Sequence, residues 1–262
     1  MGRPKLNLEN YRAFLVDLDG VLIRSFEVLP GAPQALEKLK KMGRVIIASN
    51  NSTRSRASFA DGLQKLGFAV EPEMIVHSAY IIARYLLEQA GPSPVFILGE
   101  DGLREELELA GHRMADPDRA KFVIAGLDRA LTYEKLSRAL RALRHGARCL
   151  ATNADPTFPT PTGQIPGAGA IVGALTGMGF SPIEILGKPS RIAFQIAMQA
   201  AGVQNPKECL VIGDRLETDI LGAQRMGMDS VLVLTGVTAK EDLERSELQP
   251  TWLMESVAAL VR

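Results

Sequence analysis

The sequence has few cysteines and no excess of charge of either sign. Its 262 residues include two cysteines, Cys149 and Cys209. Neither has another cysteine or a histidine at metal-ligand spacing, so a zinc site is not expected and both are interpreted as buried free thiols in strands. Thirty basic side chains balance thirty acidic ones. A dedicated binder of nucleic acid or anionic membrane needs a basic excess, so neither partner is expected.

Long apolar runs are also missing from the sequence. None approaches the roughly eighteen residues that a membrane-spanning helix needs. No apolar segment follows Met1–Lys5, so a secretory signal is not expected either. Together with the interpretation of the cysteines as free thiols, these features predict a soluble protein of the reducing cytoplasm.

Hydrophobic residues nevertheless make up 46% of the chain, enough for a substantial core. Short apolar runs alternate with segments of helical periodicity, which predicts βαβ units and parallel sheets covered on both faces. The predicted strands are residues 13–16, 45–48, 95–98, 122–125, 149–151, 183–186, 210–213 and 231–234. The predicted helices are one between Pro30 and Gly43, one ending near Leu66, 78–90, 101–110, one capped by Thr132, 168–178, 191–201, 217–226 and 257–261. The stretch 152–169, rich in Pro, Thr and Gly, is interpreted as a loop.

These units are more numerous than one compact sheet needs, which favours two domains. Stretches rich in proline and glycine at 91–94 and 179–182 mark soft boundaries. We therefore predict the α/β fold class, with a doubly wound, Rossmann-like parallel-sheet core of residues 1–79 and 184–262. An inserted α/β domain would occupy residues 80–183.

Polar side chains that could take part in catalysis or binding directly follow several predicted strands. Because function collects at the carboxyl ends of strands in open α/β sheets, these side chains are expected to meet. They are Asp17 and Asp19 after the first strand, Ser49, Asn50 and Asn51 after the second, and Lys188, Asp214 and Asp219 after two later ones.

Phosphoryl transfer needs this combination of groups. A carboxylate can act as the nucleophile and a second acid can move protons, while Mg²⁺ neutralises charge between carboxylate and phosphate. A lysine, a hydroxyl and the backbone N–H groups at 49–51, expected at a helix N-terminus, would hold the phosphate oxygens. Each piece alone has an ordinary explanation as a turn, a helix cap or a solvated lysine. Their occurrence together, in order and each after an apolar strand, favours function.

Four motifs carry a resemblance to a known family. They are Asp17-Leu18-Asp19-Gly20-Val21, Ser49-Asn50-Asn51, Lys188-Pro189, and Gly213-Asp214 through Asp219. Together they resemble the four motifs of the haloacid dehalogenase superfamily, and the finer match is to its NagD-like and 4-nitrophenyl phosphatase branch, which carries a large α/β cap. The stretch from Ala151 to Gly169 resembles the substrate-facing loop of that cap.

The resemblance implies a role for each motif residue. Asp17 would be the nucleophile and a Mg²⁺ ligand, and Asp19 the general acid and base, with its backbone carbonyl also on the metal. Ser49 and Lys188 would hold the phosphoryl group with the backbone of Asn50 and Asn51. Asp214 would complete the metal site, and Asp219 would support it. The activity implied is Mg²⁺-dependent hydrolysis of small phosphomonoesters such as nucleotides, sugar phosphates, phosphoglycolate or 4-nitrophenyl phosphate. For this branch a homodimer formed through the cap is plausible, although the sequence does not give the oligomeric state.

Several alternatives stay open at the level of sequence. A phosphotransferase such as a mutase could use the same acids, and so could a phospho-accepting receiver domain, although the latter needs only about 120 residues. In the cap loop, Asn153 and Asp155 could contact the substrate or brace the loop. The histidines His77, His112 and His145 lie apart and are expected at the surface or at helix ends rather than in a triad.

Overall fold

The structure is a computed structural model that describes residues 6–24, 27–160 and 162–261. The signal-sequence expectation at residues 1–5 lies outside this part of the chain. The strands are β1 (Ala13–Val16), β2 (Ile23–Arg24), β3 (Glu27–Val28), β4 (Arg44–Ser49), β5 (Ile75–His77), β6 (Pro94–Leu98), β7 (Arg113–Met114), β8 (Phe122–Ala125), β9 (Arg148–Ala151), β10 (Thr157–Thr160), β11 (Gly163–Pro166), β12 (Glu184–Ile185), β13 (Cys209–Gly213), β14 (Asp229–Val233) and β15 (Trp252–Met254). The α-helices are α1 (Ala32–Met42), α2 (Arg56–Lys65), α3 (Ser78–Ala90), α4 (Asp101–Leu109), α5 (Tyr133–Arg144), α6 (Ala168–Gly177), α7 (Arg191–Ala201), α8 (Leu221–Met226) and α9 (Lys240–Arg245).

The first sheet has six strands in the order β15-β14-β13-β1-β4-β5. Strand β1 pairs in parallel with both β13 and β4, and β13 continues in parallel to β14 and β15. All four residues of β1 are buried. A strand covered on both faces needs such a continuous apolar run. The sheet therefore confirms the predicted α/β class. It places β1 between β13 and β4, and polar side chains lie at or directly after the ends of these two strands as well.

The second large sheet has five strands in the order β12-β9-β8-β6-β7, and its pairs are parallel. Helices α5 and α6 contribute buried apolar residues to its core, with Ala139 and Leu175 fully enclosed. Thr132 caps α5 as expected, since its side chain accepts a hydrogen bond from the Lys135 N–H. The cysteines Cys149 and Cys209 are free and buried in β9 and β13, as predicted.

The described residues form two compact units. The first lies within residues 1–49, 60–76 and 188–262, and the second within 50–59 and 77–187. Strand β12, placed in the core by the sequence analysis, pairs instead with β9 in the sheet of the second unit. The two-residue β12 precedes the glycine and lysine of the third motif, so the apolar run alone did not show which sheet it joins.

The structure differs from the sequence prediction in several short elements. The predicted loop 152–169 contains an antiparallel strand pair, β10–β11, in which Phe158 lies opposite Ile165. Residue 161 lies outside the described residues. The predicted helix 217–226 begins with a π-helical turn, Leu216–Ile220, and the C-terminal helix is a 3₁₀ helix, Val257–Val261. No helix among the described residues is long and apolar enough to cross a bilayer.

Candidate active site

The first unit brings the polar ends of β1 and β13 side by side. Val16 is in register with Ile212, and the Asp17 N–H donates to the Ile212 carbonyl at 2.8 Å. Asp17 and Asp214, each directly after its strand, therefore emerge at the same edge of the sheet. This is the juxtaposition that the sequence predicted from the positions of the two acids.

Lys188 contacts three separate segments of the first unit at this edge of the sheet. Its Nζ lies 2.9 Å from Asp17 Oδ1 and 2.7 Å from Asp219 Oδ1, and it donates to the Ala48 carbonyl of β4 at 2.8 Å. Burial lowers the pKa of Lys188, but the carboxylates of Asp17 and Asp219 outweigh it and raise that pKa well above its ordinary value. The lysine is therefore a fixed positive charge held against the two acids.

Three carboxylates cluster around this lysine. Asp17, Asp214 and Asp219 each offer an oxygen that lies within 4.8 Å of the other two. Asp219 is already engaged, since its Oδ1 faces Lys188 and its Oδ2 accepts from the Arg215 N–H at 3.3 Å. Carboxylate oxygens are the donors that hard divalent cations prefer, so these residues fit a metal of that kind.

The surroundings of Asp214 leave its charge poorly compensated. Burial, and then the charges of Asp17 and Asp219, raises the pKa of Asp214 to about 8. Its Oδ2 accepts from the Val237 N–H at 2.6 Å, which is the main local compensation. Gly20 and Gly236 lie against this carboxylate so closely that a Cβ on either would collide with it. A buried, crowded group of acids with one lysine is a place where a cation is stabilising.

Sequence reasoning missed the contribution of the turn after β14. Gly236 makes room for Asp214, Val237 donates to its side chain, and the Thr238 N–H donates to its carbonyl at 3.1 Å. The available signal was the Leu234-Thr235-Gly236 turn, because it follows another apolar strand of the same sheet.

Asp19 occupies a different electrostatic environment. Burial, and then the charge of Asp17, raises its pKa to about 6, while Lys188 opposes the rise. A carboxyl group with a pKa near neutrality can both donate and accept a proton. Gly20, with a φ of 82°, follows it, and the Gly20 N–H donates to the Ile23 carbonyl at 2.7 Å, which turns the chain away from the sheet.

Ser49 is the last residue of β4 and is buried, but the expected helix N-terminus is not at residues 49–51. Helix α2 begins at Arg56, and the Arg56 N–H donates a hydrogen bond to Glu106 Oε1 at 2.7 Å. Asn51 instead forms a local turn, in which its Oδ1 accepts from the Thr53 N–H at 2.8 Å. The predicted contribution of helix α2 to anion binding is therefore wrong, because a polar turn separates the motif from the helix.

Asn153 and Asp155 lie in the second unit, where the Asp155 carboxylate accepts hydrogen bonds from two asparagine side chains. Its carboxylate accepts from Asn153 Nδ2 at 2.9 Å and from Asn50 Nδ2 at 3.1 Å. Asn153 also accepts, through Oδ1, from the Thr152 hydroxyl at 2.8 Å. Of the two open alternatives, these bonds support bracing.

His77 lies at a helix end, as expected: it is buried and caps α3, where its Nδ1 accepts from the Tyr80 N–H at 3.2 Å. His112 differs from the expectation, because it is buried between elements, with its Nε2 3.0 Å from the Ala83 carbonyl. Only His145 of the three is exposed. Their separation agrees with the expectation that they form no triad.

Comparison with known proteins gives a consistent result for nearly the whole chain. Residues 14–113 match a family described as haloacid dehalogenase-like hydrolase, and residues 185–260 match one described as HAD-hydrolase-like. An acid sugar phosphatase of Staphylococcus aureus is 34% identical over 259 residues, covering 97% of this chain and 99% of that protein.

Solved structures show the same relationship. A p-nitrophenyl phosphatase from Archaeoglobus fulgidus superposes with a TM-score of 0.90 at 36% identity, covering 96% of this chain and 98% of that one. A glycerol phosphate phosphatase from Mycobacterium tuberculosis, in complex with magnesium, superposes with a TM-score of 0.88 at 34% identity, covering 97% of this chain and 77% of that one.

Proposed function

Because this chain belongs to the haloacid dehalogenase-like hydrolases, as a phosphatase of their NagD-like branch, we propose that it is a Mg²⁺-dependent hydrolase of small phosphomonoesters that works through an aspartyl phosphate on Asp17. The observation that carries this proposal is the convergence of Asp17, Lys188 and Asp214 at one edge of the first sheet. The proposed nucleophile, a buried lysine and carboxylates suited to a metal lie there within a few ångströms of one another.

The metal is assigned to Asp17 and Asp214, with the Asp19 backbone carbonyl as a further ligand. Bound there, Mg²⁺ would supply positive charge that offsets the repulsion between the acids and the phosphate. Lys188 provides a second positive charge against Asp17, and Asp219 keeps that lysine in place from its other side. Ser49, at the end of β4, is assigned to the phosphate oxygens together with the backbone of Asn50 and Asn51.

The proposed reaction has two steps. The Asp17 carboxylate attacks phosphorus, the bond from phosphorus to the ester oxygen breaks, and Asp19 gives its proton to the leaving alcohol. Water then attacks the phosphorus of the aspartyl phosphate while Asp19 takes up a proton, which restores Asp17 and releases inorganic phosphate. A pKa near 6 suits Asp19 to both transfers.

The relatives favour substrates with a small leaving group. Their names refer to sugar phosphates, p-nitrophenyl phosphate and glycerol phosphate. We propose the same class for this chain, with nucleotides and phosphoglycolate as further members, and a panel of these esters assayed with Mg²⁺ would rank them. Equal release of alcohol and inorganic phosphate supports hydrolysis, whereas an isomerised phosphate ester would identify a mutase.

Substitution of Asp17 tests the proposal directly. Asp17→Asn keeps the shape of the side chain and removes the charge that attacks phosphorus, so hydrolysis of 4-nitrophenyl phosphate should fall by roughly 10³-fold or more. Asp61→Asn, which alters an exposed aspartate paired with Lys65 on α2, is the matched control and should retain full activity. Near-normal turnover by a folded Asp17→Asn protein would rule out the assigned nucleophile.

A further inference from the structure

A basic cavity of about 510 Å³ lies in the first unit, among the beginnings of β1 and β4 and the end of α1. It is separate from the candidate active site, which occupies the opposite, carboxyl ends of the same strands. Four positively charged residues line it, and no acidic side chain of the described residues does: Arg12, Lys40, Lys41 and Arg44. We refer to this feature as the basic cavity.

The folding of the chain explains only part of this charge. Lys40 and Lys41 occupy the last turn of α1, where cations offset the helix dipole. Lys40 is further engaged, because its Nζ donates to Glu37 Oε1 and to the Ala69 carbonyl, both at 2.8 Å. Neither the dipole nor these bonds explains the two arginines.

Arg12 and Arg44 come together through strand pairing. The Arg44 N–H donates to the Arg12 carbonyl at 2.9 Å, which joins the two residues through the backbone at the start of the sheet. Both arginines line the cavity. Arg12 Nη1 lies 3.4 Å from Glu208 Oε2, and 71% of the Arg12 side chain is exposed. Within the described chain, Arg44 and Lys41 form no ion pair or side-chain hydrogen bond.

The rest of the cavity wall is apolar. Met42, Val45 and Met74 line it, with Val45 buried and the two methionines half-buried. Methionine sulfur makes favourable contacts with aromatic rings. Arginine binds phosphate through two parallel hydrogen bonds. The basic cavity is wide open to solvent, but its volume is within the range of small-molecule sites, and its lining combines a place for a ring with a place for phosphate.

We propose that the basic cavity binds a nucleotide, with its phosphates between Arg12, Lys41 and Arg44 and its base against Met42 and Met74. The overall charge of the chain is zero, so this local excess is not a by-product of a basic protein. The proposal is independent of the phosphatase reaction, which uses none of these residues.

Titration calorimetry with ADP tests this site, with EDTA present to suppress turnover. The wild-type protein should bind ADP at the basic cavity, apart from any ADP held at the candidate active site, and Lys41→Gln/Arg44→Gln should weaken binding at the cavity by about tenfold or more, because two charged phosphate contacts are lost. Lys240→Gln/Arg245→Gln removes the same two residue types from the exposed positions of α9 and should bind ADP as the wild type does. Both variants should hydrolyse 4-nitrophenyl phosphate at the wild-type rate.

Two further probes define the ligand class. Adenosine and inorganic pyrophosphate should each bind more weakly than ADP, because each engages only one half of the cavity. The proposal is overturned if the wild type shows no saturable ADP binding, if Lys41→Gln/Arg44→Gln binds ADP unchanged, or if pyrophosphate binds as tightly as ADP.

Discussion

Asp17 and Asp19 are two residues apart, yet their surroundings give them different capacities. Asp17 Oδ1 lies 2.9 Å from Lys188 Nζ and accepts a hydrogen bond from the Leu18 N–H at 2.8 Å. Burial, and then the charge of Asp17, raises the pKa of Asp19 to about 6. Environment, rather than residue type, thus separates the proposed nucleophile from the proposed proton carrier.

This difference predicts that the rate loss caused by Asp19→Asn depends on the leaving group of the ester. Glycerol phosphate releases a strongly basic alkoxide and needs the acid, whereas 4-nitrophenolate leaves without one. We expect loss of about 10²-fold or more for formation of the aspartyl phosphate from glycerol phosphate, and a much smaller loss from 4-nitrophenyl phosphate. Rapid-quench measurement of the first turnover on both esters checks this, with Asp61→Asn as the control. Equal losses on the two esters would contradict the acid role of Asp19.

At the scale of elements, the beginnings of α2 and α3 are held by a buried polar cluster in the second unit. Glu106 of α4 accepts from the Arg56 N–H and, at 3.1 Å, from its guanidinium Nε, while His77 caps α3. His77 Nε2 lies 3.9 Å from Glu106 Oε1 and has no hydrogen-bond partner among the described residues. Burial, together with the Arg56 charge, nevertheless lowers the pKa of His77 to about 3.

The buried histidine makes stability depend on pH. Its pKa is 6.5 when unperturbed and about 3 in the fold, so the unfolded chain binds the proton more readily between these values. The stabilisation is therefore complete above about pH 6.5 and is lost as the pH falls toward 3, by about 2 kcal/mol at pH 5. Urea unfolding at about pH 7.5 and about pH 5 should show a smaller pH-dependent loss for His77→Asn than for the wild type. His145→Asn, which removes an exposed histidine, should retain the wild-type loss; the same loss in His77→Asn would contradict the interpretation.

At the scale of the whole molecule, the parts that the sequence predicted share one property. Strands β1 and β8 have the predicted bounds because four consecutive apolar residues are buried on both faces of a sheet. The positions of Asp17, Asp19 and Asp214 follow from such runs, since a parallel sheet gathers the ends of its strands at one edge. Lys188 differs, because it follows β12, which pairs in the second sheet.

The parts that sequence could not predict depend on pairing or on main-chain groups. Strands β10 and β11 consist of Thr, Pro, Gly, Gln, Ile and Phe residues without a continuous apolar run, so their pairing was not visible. Strand β12 is two exposed residues long, and only its register with Leu150 and Ala151 assigns it to the second sheet. The backbone N–H of Val237, which serves Asp214, carries no side-chain signature at all.

The central claim is that Asp17 carries the phosphoryl group during turnover. Borohydride reduces an acyl phosphate but not a free carboxylate, so quenching the enzyme with borohydride during turnover of 4-nitrophenyl phosphate, followed by peptide mass spectrometry, locates the intermediate. We predict homoserine at position 17, in an amount that rises in Asp19→Asn because hydrolysis of the intermediate is slowed. An unmodified Asp17 in a protein that turns over normally, or reduction at another carboxylate, would contradict the account.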